Sequence, residues 1–278
     1  MIEIATLADI ACAAGEKILE IYGTDFAVAT KADLSPVTLA DTAAEAIITS
    51  KLNKAFPGIP VVAEEAVSAG NVPETTARFF LVDPLDGSKE FIARNGEFTV
   101  NIALIDKGVP VAGVVYAPAI GRIWWGIDGT GSSSASVVDG NSTVARIVEP
   151  TPIAVRPAGI GLCAVGSRSH GSGEGDPRLS PFAINEFRSA GSSLKFCLLA
   201  EGGADIYPRF GRTMEWDTAA GDAILRAAGG RVTCVDGTPL RYGKRNQSGD
   251  SDFANPFFFA FGDPRLSDLI ANPDQRAS

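Results

Sequence analysis

The chain has 278 residues, 45% of them hydrophobic, with a net charge of −9 at pH 7, four cysteines and one histidine. That is enough apolar chain for one large core or two packed lobes. The acidic balance excludes a nucleic-acid duplex as partner, because backbone binding needs a basic face, and no apolar run approaches the ~20 residues that span a bilayer.

In chain order, an amphipathic helix is expected over residues 4–22, closed by Gly23. A second follows the capping-box spacing of Thr38 and Asp41, with Ala44, Ile47, Ile48, Leu52 and Phe56 as its apolar series, and Pro57-Gly58 ends it. Residues 59–63 read as a short strand ending at Glu64-Glu65, and 79–82 as the next. After a short helix near 89–94, the stretches 98–105 and 109–116 read as antiparallel strands joined at Lys107-Gly108, with a further strand at 122–126. The Gly- and Ser-rich stretch 128–141 reads as an exposed loop or irregular hairpin. Beyond it, strands and helices alternate at 160–165, 192–200, 205–207, 217–228, 231–235 and 257–261. Mobile loops are expected at 170–177 and 244–255, and a frayed end after Asn272. The expected organisation is an N-terminal α+β lobe over 1–145 and a C-terminal α/β lobe over 146–278. The first residues lack a secretory signal, so the expected location is the cytosol, with peripheral membrane attachment left open. Cys12, Cys163, Cys197 and Cys234 lie in apolar surroundings without C-x-x-C spacing and read as buried, reduced thiols.

The chemistry concentrates in Asp83-Pro84-Leu85-Asp86-Gly87-Ser88, directly after the apolar run Phe79-Phe80-Leu81-Val82. Two carboxylates, a backbone carbonyl and a hydroxyl at a strand end suit a hard cation such as Mg²⁺, and the Gly87 and Ser88 amides can face a phosphate. Asp-Pro and Asp-Gly are also ordinary turn formers, so the motif alone leaves both readings open. Glu64-Glu65, Asp217 and Asp41 add carboxylates at other element ends, as a multi-metal phosphoryl-transfer site requires, although Asp217 and Asp41 could each simply cap a helix.

Rival chemistries miss in detail. Cys163 is one residue short of a C-x₅-R spacing to Arg168, and Asp250-Ser251-Asp252 lies in a polar stretch instead of after a strand. The span from Gly237 to Lys244 is too long for a Walker loop. His170 is the only histidine, and no G-x-S-x-G elbow is present.

An ordered set of segments then carries a family resemblance. They are Lys31-Ala32-Asp33 with Ser35-Pro36-Val37-Thr38 and Ala40-Asp41, Glu64-Glu65, the motif at 83–88 continued by Lys89-Glu90-Phe91, and Asn95-Gly96-Glu97-Phe98-Thr99-Val100-Asn101. Residues 113–118, 167–170, 191–196, Tyr207-Pro208-Arg209 and 216–221 complete it. The chain resembles the lithium-sensitive, Mg²⁺-dependent phosphatases of the inositol monophosphatase and fructose-1,6-bisphosphatase superfamily, most of all the bacterial 3'(2'),5'-bisphosphate nucleotidases. The resemblance implies a layered αβαβα sandwich and two Mg²⁺ ions, and allows a third. Glu64, Asp83 and the Leu85 carbonyl would hold the first ion and Asp83, Asp86 and Asp217 the second, with Asp41 and Ser88 orienting and deprotonating the attacking water.

For the substrate, the likeness implies Asp86, Gly87, Ser88, Asp217, His170, Gly191, Ser192 and Lys195, with Lys195 the cation for a second phosphate. Glu65, Arg168 and Arg209 are left without assigned roles. Ser88 stands where threonine is frequent, and Ala66 where an acidic residue is common. The implied activity removes the 3'-phosphate of adenosine 3',5'-bisphosphate, with its sulfated relative a further substrate, in sulfur metabolism. An inositol monophosphatase or sugar bisphosphatase is the same-chemistry alternative, and a non-catalytic nucleotide or metal sensor the alternative of another class. The chain is expected to be a monomer or homodimer.

Overall fold

A computed structural model describes residues 3–30, 36–139, 145–168 and 174–271. In chain order the helices are α1 (Ile4–Tyr22), α2 (Leu39–Ala55), α3 (Glu64–Ser68), α4 (Ser88–Ile92), α5 (Leu194–Ala200), α6 (Ala219–Ala227) and α7 (Asp268–Ala271). The strands of the N-terminal half are β1 (Val28–Thr30), β2 (Pro36–Thr38), β3 (Val61–Ala63), β4 (Arg78–Asp86), β5 (Thr99–Asp106), β6 (Val109–Ala117), β7 (Arg122–Ile127), β8 (Gly131–Asp139) and β9 (Ala145–Ile153). Those of the C-terminal half are β10 (Leu162–Ser167), β11 (Ile184–Ala190), β12 (Ile206–Arg209), β13 (Arg231–Cys234) and β14 (Phe258–Phe261). Among the described residues β3 to β9 form one seven-stranded sheet in chain order, β11-β10-β12-β14-β13 form a five-stranded sheet, and β1-β2 pair separately.

Side-chain alternation along the strands sets the layers. From β4 and β5, Phe80, Val82, Val100, Ile102 and Leu104 face α1 and α2, where they pack on Leu7, Ile10, Ile18, Ala44, Ile48 and Leu52. The intervening Phe79, Leu81, Ala103 and Ile105 face the other way, into a core that also holds Phe196 and Leu199 of α5, Ala220 and Ile224 of α6, and Val165 and Phe258 of the second sheet. The far face of that sheet, with Leu162, Ala164, Phe259 and Phe261, packs under Leu179, Phe182 and Leu266. The result is the expected αβαβα sandwich, and its middle helical layer is shared by both sheets. Two glycines let α6 lie close on the first sheet. A Cβ at Gly113 would stand 2.5 Å from the Ala220 carbonyl oxygen, and one at Gly126 would stand 2.8 Å from Ile224 Cα.

Several expectations are corrected. The stretch 128–139 is mostly strand β8, held between β7 and β9. Its two buried serines have internal partners: Ser132 Oγ donates to the Ile224 carbonyl at 2.7 Å, and Arg122 donates to Ser134 Oγ at 3.0 Å. A polar stretch can therefore be buried without loss. The first sheet continues through β9 to Ile153. Strand β11 escaped sequence reading because it is an edge strand with a mostly exposed, polar pattern. Cys234 is half-buried, unlike the other three thiols. The segment 244–255 is irregular but tied down, with the buried Glu215 carboxylate accepting from the Gly243 and Lys244 amides at 2.6 and 2.9 Å. Residues 170–173, 140–141 and 272–278, on which other expectations fall, lie outside the described residues.

Candidate active site

Strand register brings the acidic positions together. β3 and β4 run parallel with Ala63 beside Val82, so Glu64 and Asp83 emerge next to each other at the same sheet edge. The pairing of β4 with β5 then shifts register between Asp83 and Asp86. Within that bulge Asp83 Oδ1 accepts from the Leu85 amide at 3.0 Å. Gly87 follows at φ 93°, and a Cβ there would stand 2.2 Å from Ser192 Oγ. Both the backbone conformation and the close approach of Ser192 therefore favour glycine.

The Glu64-Glu65 pair stands at the end of β3, as expected, and also opens α3. Glu45 of α2, which sequence reading missed, accepts from the Glu65 and Ala66 amides at 2.7 and 2.9 Å. It thereby satisfies two of the amides that a helix start leaves open. Asp41 completes the expected capping box, its Oδ2 accepting from the Thr38 amide at 2.7 Å and the Thr38 hydroxyl at 2.9 Å. Its other oxygen accepts from the Ser88 hydroxyl at 3.2 Å. Two residues 47 positions apart in sequence are thus joined, and Asp41 does more than cap.

Residues of the C-terminal half close the site. Asp217 is not the N-cap of α6, which begins at Ala219; its carboxylate accepts from the Met214 amide at 2.8 Å. Lys195 is buried, with Nζ donating to the Ala190 and Ser192 carbonyls at 3.2 and 2.5 Å. It organises the loop before α5, and its Nζ stands 5.3 Å from the centroid of the Tyr207 ring. Gly191 and Ser192 are held by the first lobe: the Gly191 amide donates to Glu97 Oε2 at 2.8 Å, and Ser192 Oγ lies 2.7 Å from both the Asp86 and Glu97 carbonyls. Arg168 forms a bidentate pair with Glu97, both bonds at 2.8 Å. Arg209, by contrast, is buried, with one donation to the Arg212 carbonyl and a buried Nε that has no hydrogen-bond partner. His170 lies outside the described residues.

Glu64, Asp86, Ser88, Lys195, Arg209 and Asp217 are among the residues that line a cleft of about 430 Å³. Its electrostatics are those of crowded carboxylates. Burial, then the charges of Glu64, Asp86 and Asp217, push the Asp83 carboxyl well above the ordinary range. Burial, then Asp86 and Glu64, do the same to Asp217. Asp86 is raised by burial against the opposing pull of Lys195, Asn101 and Ser193. Burial brings Lys195 down to about 8, although Asp86 favours its charge. A hard divalent cation would relieve such a surplus of anionic oxygens. Among the described residues no three acidic, histidine or cysteine side chains stand closed to ligand spacing. Asp83 and Asp217 each turn an oxygen onto a backbone amide. In donor chemistry and charge the set nevertheless fits Mg²⁺.

A sheet-and-helix sandwich with acidic groups from several element ends meeting at one cleft defines a sugar-phosphatase-like fold, and the chain belongs to the inositol monophosphatase family, whose model matches residues 2–255. Within that family it is 45% identical over 247 residues to the 3'(2'),5'-bisphosphate nucleotidase CysQ of Escherichia coli K12, covering 88% of this chain and 94% of that enzyme. The crystal structure of CysQ from Bacteroides thetaiotaomicron superposes with a TM-score of 0.70 at 39% identity, covering 93% of this chain and 96% of that one. The Thermotoga maritima IMPase reaches a TM-score of 0.74 at 20% identity over 98% of this chain and 97% of that one, a likeness of fold alone. Among the described residues no helix is long and apolar enough to cross a membrane.

Proposed function

We propose that the chain is a 3'(2'),5'-bisphosphate nucleotidase that hydrolyses the 3'-phosphate of adenosine 3',5'-bisphosphate, and of its sulfated relative, in sulfur metabolism. The observation that carries this reading is the Ser88–Asp41 hydrogen bond beside the Glu64, Asp83, Asp86 and Asp217 carboxylates. A protein that only bound nucleotide or metal would not need a hydroxyl–carboxylate pair placed to orient water.

Glu64, Asp83 and the Leu85 carbonyl would hold one Mg²⁺, and Asp83, Asp86 and Asp217 a second. When bound, such ions acidify water and neutralise charge on a departing ester oxygen. The chain's own residues do the remaining work. Ser88 Oγ, fixed by its donation to Asp41, presents its lone pairs to the attacking water, and Asp41 takes the proton passed along that bond. The Gly87 and Ser88 amides face the phosphate; α4 is a helix of 5 residues, so these amides act individually instead of through a long dipole. Lys195 and Arg209, both buried in the cleft wall, supply positive charge for the second phosphate, and the family resemblance assigns Gly191, Ser192 and His170 to the nucleoside.

The test is phosphate release with Mg²⁺ from adenosine 3',5'-bisphosphate, inositol 1-phosphate and fructose 1,6-bisphosphate, compared as kcat/KM. The bisphosphate nucleotide should lead, and Li⁺ should inhibit; a clear preference for either other substrate overturns the substrate assignment.

A further inference from the structure

Asp86 belongs to the first lobe and Asp217 to the second, so a cation they share depends on how the lobes are registered. Ligand positions in a metal site must hold to a few tenths of an ångström. Backbone packing between lobes does not by itself give that precision, and a specific polar link across the boundary would. Asn101 stands at that boundary, directly beside Asp83 in the β4–β5 pairing. It is a fully buried amide on a face of β5 that runs on into the apolar core as Ala103 and Ile105.

A buried amide is costly unless its bonds are made. Those of Asn101 are made to named partners. Its Oδ1 accepts from the Thr99 hydroxyl at 3.0 Å, and its Nδ2 donates to Asp86 Oδ2 at 3.3 Å and to Ser193 Oγ at 3.0 Å. The Asp86 carboxylate can only accept, which fixes the orientation of the amide. Ser193, itself buried, donates onward to the Asp217 carbonyl at 2.8 Å. The chain of bonds therefore runs from Thr99 through Asn101 to both carboxylate-bearing residues, one in each lobe.

We propose that Asn101 and Ser193 are positioning residues that hold Asp86 and Asp217 in register across the lobe boundary, and so set the affinity of the cation these two carboxylates share. Neither residue touches the reacting atoms. The proposal rests on the assignment of Asp86 and Asp217 to one ion.

The experiment measures Mn²⁺ binding by electron paramagnetic resonance, with inorganic phosphate present and no turnover, on the intact chain and on Ser193→Ala, Asn101→Ala and the double variant. Calorimetry of each metal-free variant checks folding. The tighter Mn²⁺ should be unaffected, and the weaker should bind roughly 10- to 100-fold less tightly in each single variant, the usual consequence of removing an outer hydrogen-bond partner. The double variant should be no worse than the poorer single one, because the two residues act in series. Ser193→Cys, close to serine in volume and a weak donor, should behave like Ser193→Ala and carries the test if the alanine variant does not fold. Weaker-ion affinity within twofold of the parent in the folded single variants overturns the proposal, as does simple additivity. Asp86→Asn and Asp217→Asn are the reference. If they too keep the weaker ion, it is the ligand assignment that fails, and the two failures are told apart.

Discussion

Gly113→Ala tests how closely the shared helical layer is fitted to the first sheet. The new Cβ would lie 2.5 Å from the Ala220 carbonyl oxygen and 2.8 Å from Ala223 Cβ, both on α6, where real contacts do not fall below 3.0 Å. Neither neighbour is the end of a flexible side chain, so α6 itself must move by at least ~0.5 Å, the difference between 3.0 and 2.5 Å. Overpacking of this kind costs about 1–3 kcal/mol, which for a chain of this size lowers Tm by roughly 2–12 °C. Asp217 lies two residues before α6 and should move with it. Misplacement by ~1 Å can cost a reaction about 10²-fold, so the rate should fall out of proportion to stability, by roughly tenfold or more at a temperature where the variant is fully folded. Calorimetry and phosphate release under saturating Mg²⁺ read the two effects separately. A variant with parental Tm and rate would refute the close-packing argument; a lowered Tm with parental kcat would refute the link from α6 to Asp217.

Asp86→Asn should nearly abolish turnover while leaving the metal-free fold at least as stable as the parent, because it removes one of several mutually repelling carboxylates; near-parental rates would sink the metal assignment. Asp83, Asp86 and Asp217 have folded-state pKa values raised above their unfolded ones. The folded state therefore binds protons more tightly, and these groups make the metal-free protein lose stability as pH climbs from the ordinary carboxylate range toward their folded values. Tm measured from pH 5 to 8 in chelator should carry this downward contribution, and saturating Mg²⁺ should flatten it; an identical slope with and without the ion would contradict it. With Lys195 at about 8, kcat/KM for the bisphosphate should fall as pH passes that value, and Lys195→Arg should shift the fall upward. Asp205 accepts two bonds from Arg156 at 2.7 and 2.6 Å and one from the Cys163 amide at 2.7 Å. Asp205→Ala should cost about 1–3 kcal/mol by urea unfolding without changing KM.

The layered fold was legible because its signals are local. The apolar series Ala44, Ile48 and Leu52, the capping box at Thr38 and Asp41, and the apolar run 79–82 each commit a segment before any long-range contact forms. Strand β8 was not legible, since Ser132 and Ser134 find their partners in Ile224 and Arg122, which only the folded chain brings beside them. The polar face of α2 likewise gave no sign that Glu45 would cap α3. Asn101 did leave a signal, a polar residue inside an apolar strand, but its meaning depended on which groups stood opposite.

The sequence by itself determined the chemical inventory: hard oxygen donors at element ends, a glycine-serine turn after a buried strand, and a chain too acidic to hold a polyanion without help. Periodicity and turn chemistry are properties of neighbours in the chain, so they survive in the letters. The tertiary structure alone decided which of those donors meet. Parallel pairing sets Glu64 beside Asp83, the bulge after Asp83 re-aims Asp86, and a hydrogen bond joins Ser88 to Asp41. The C-terminal half brings Asp217, Lys195 and Arg209 to the site through the packing of α5 and α6 and through polar links such as Asn101–Ser193, Gly191–Glu97 and Arg168–Glu97. Contact between residues far apart in sequence follows from burial and register, and a linear pattern carries neither.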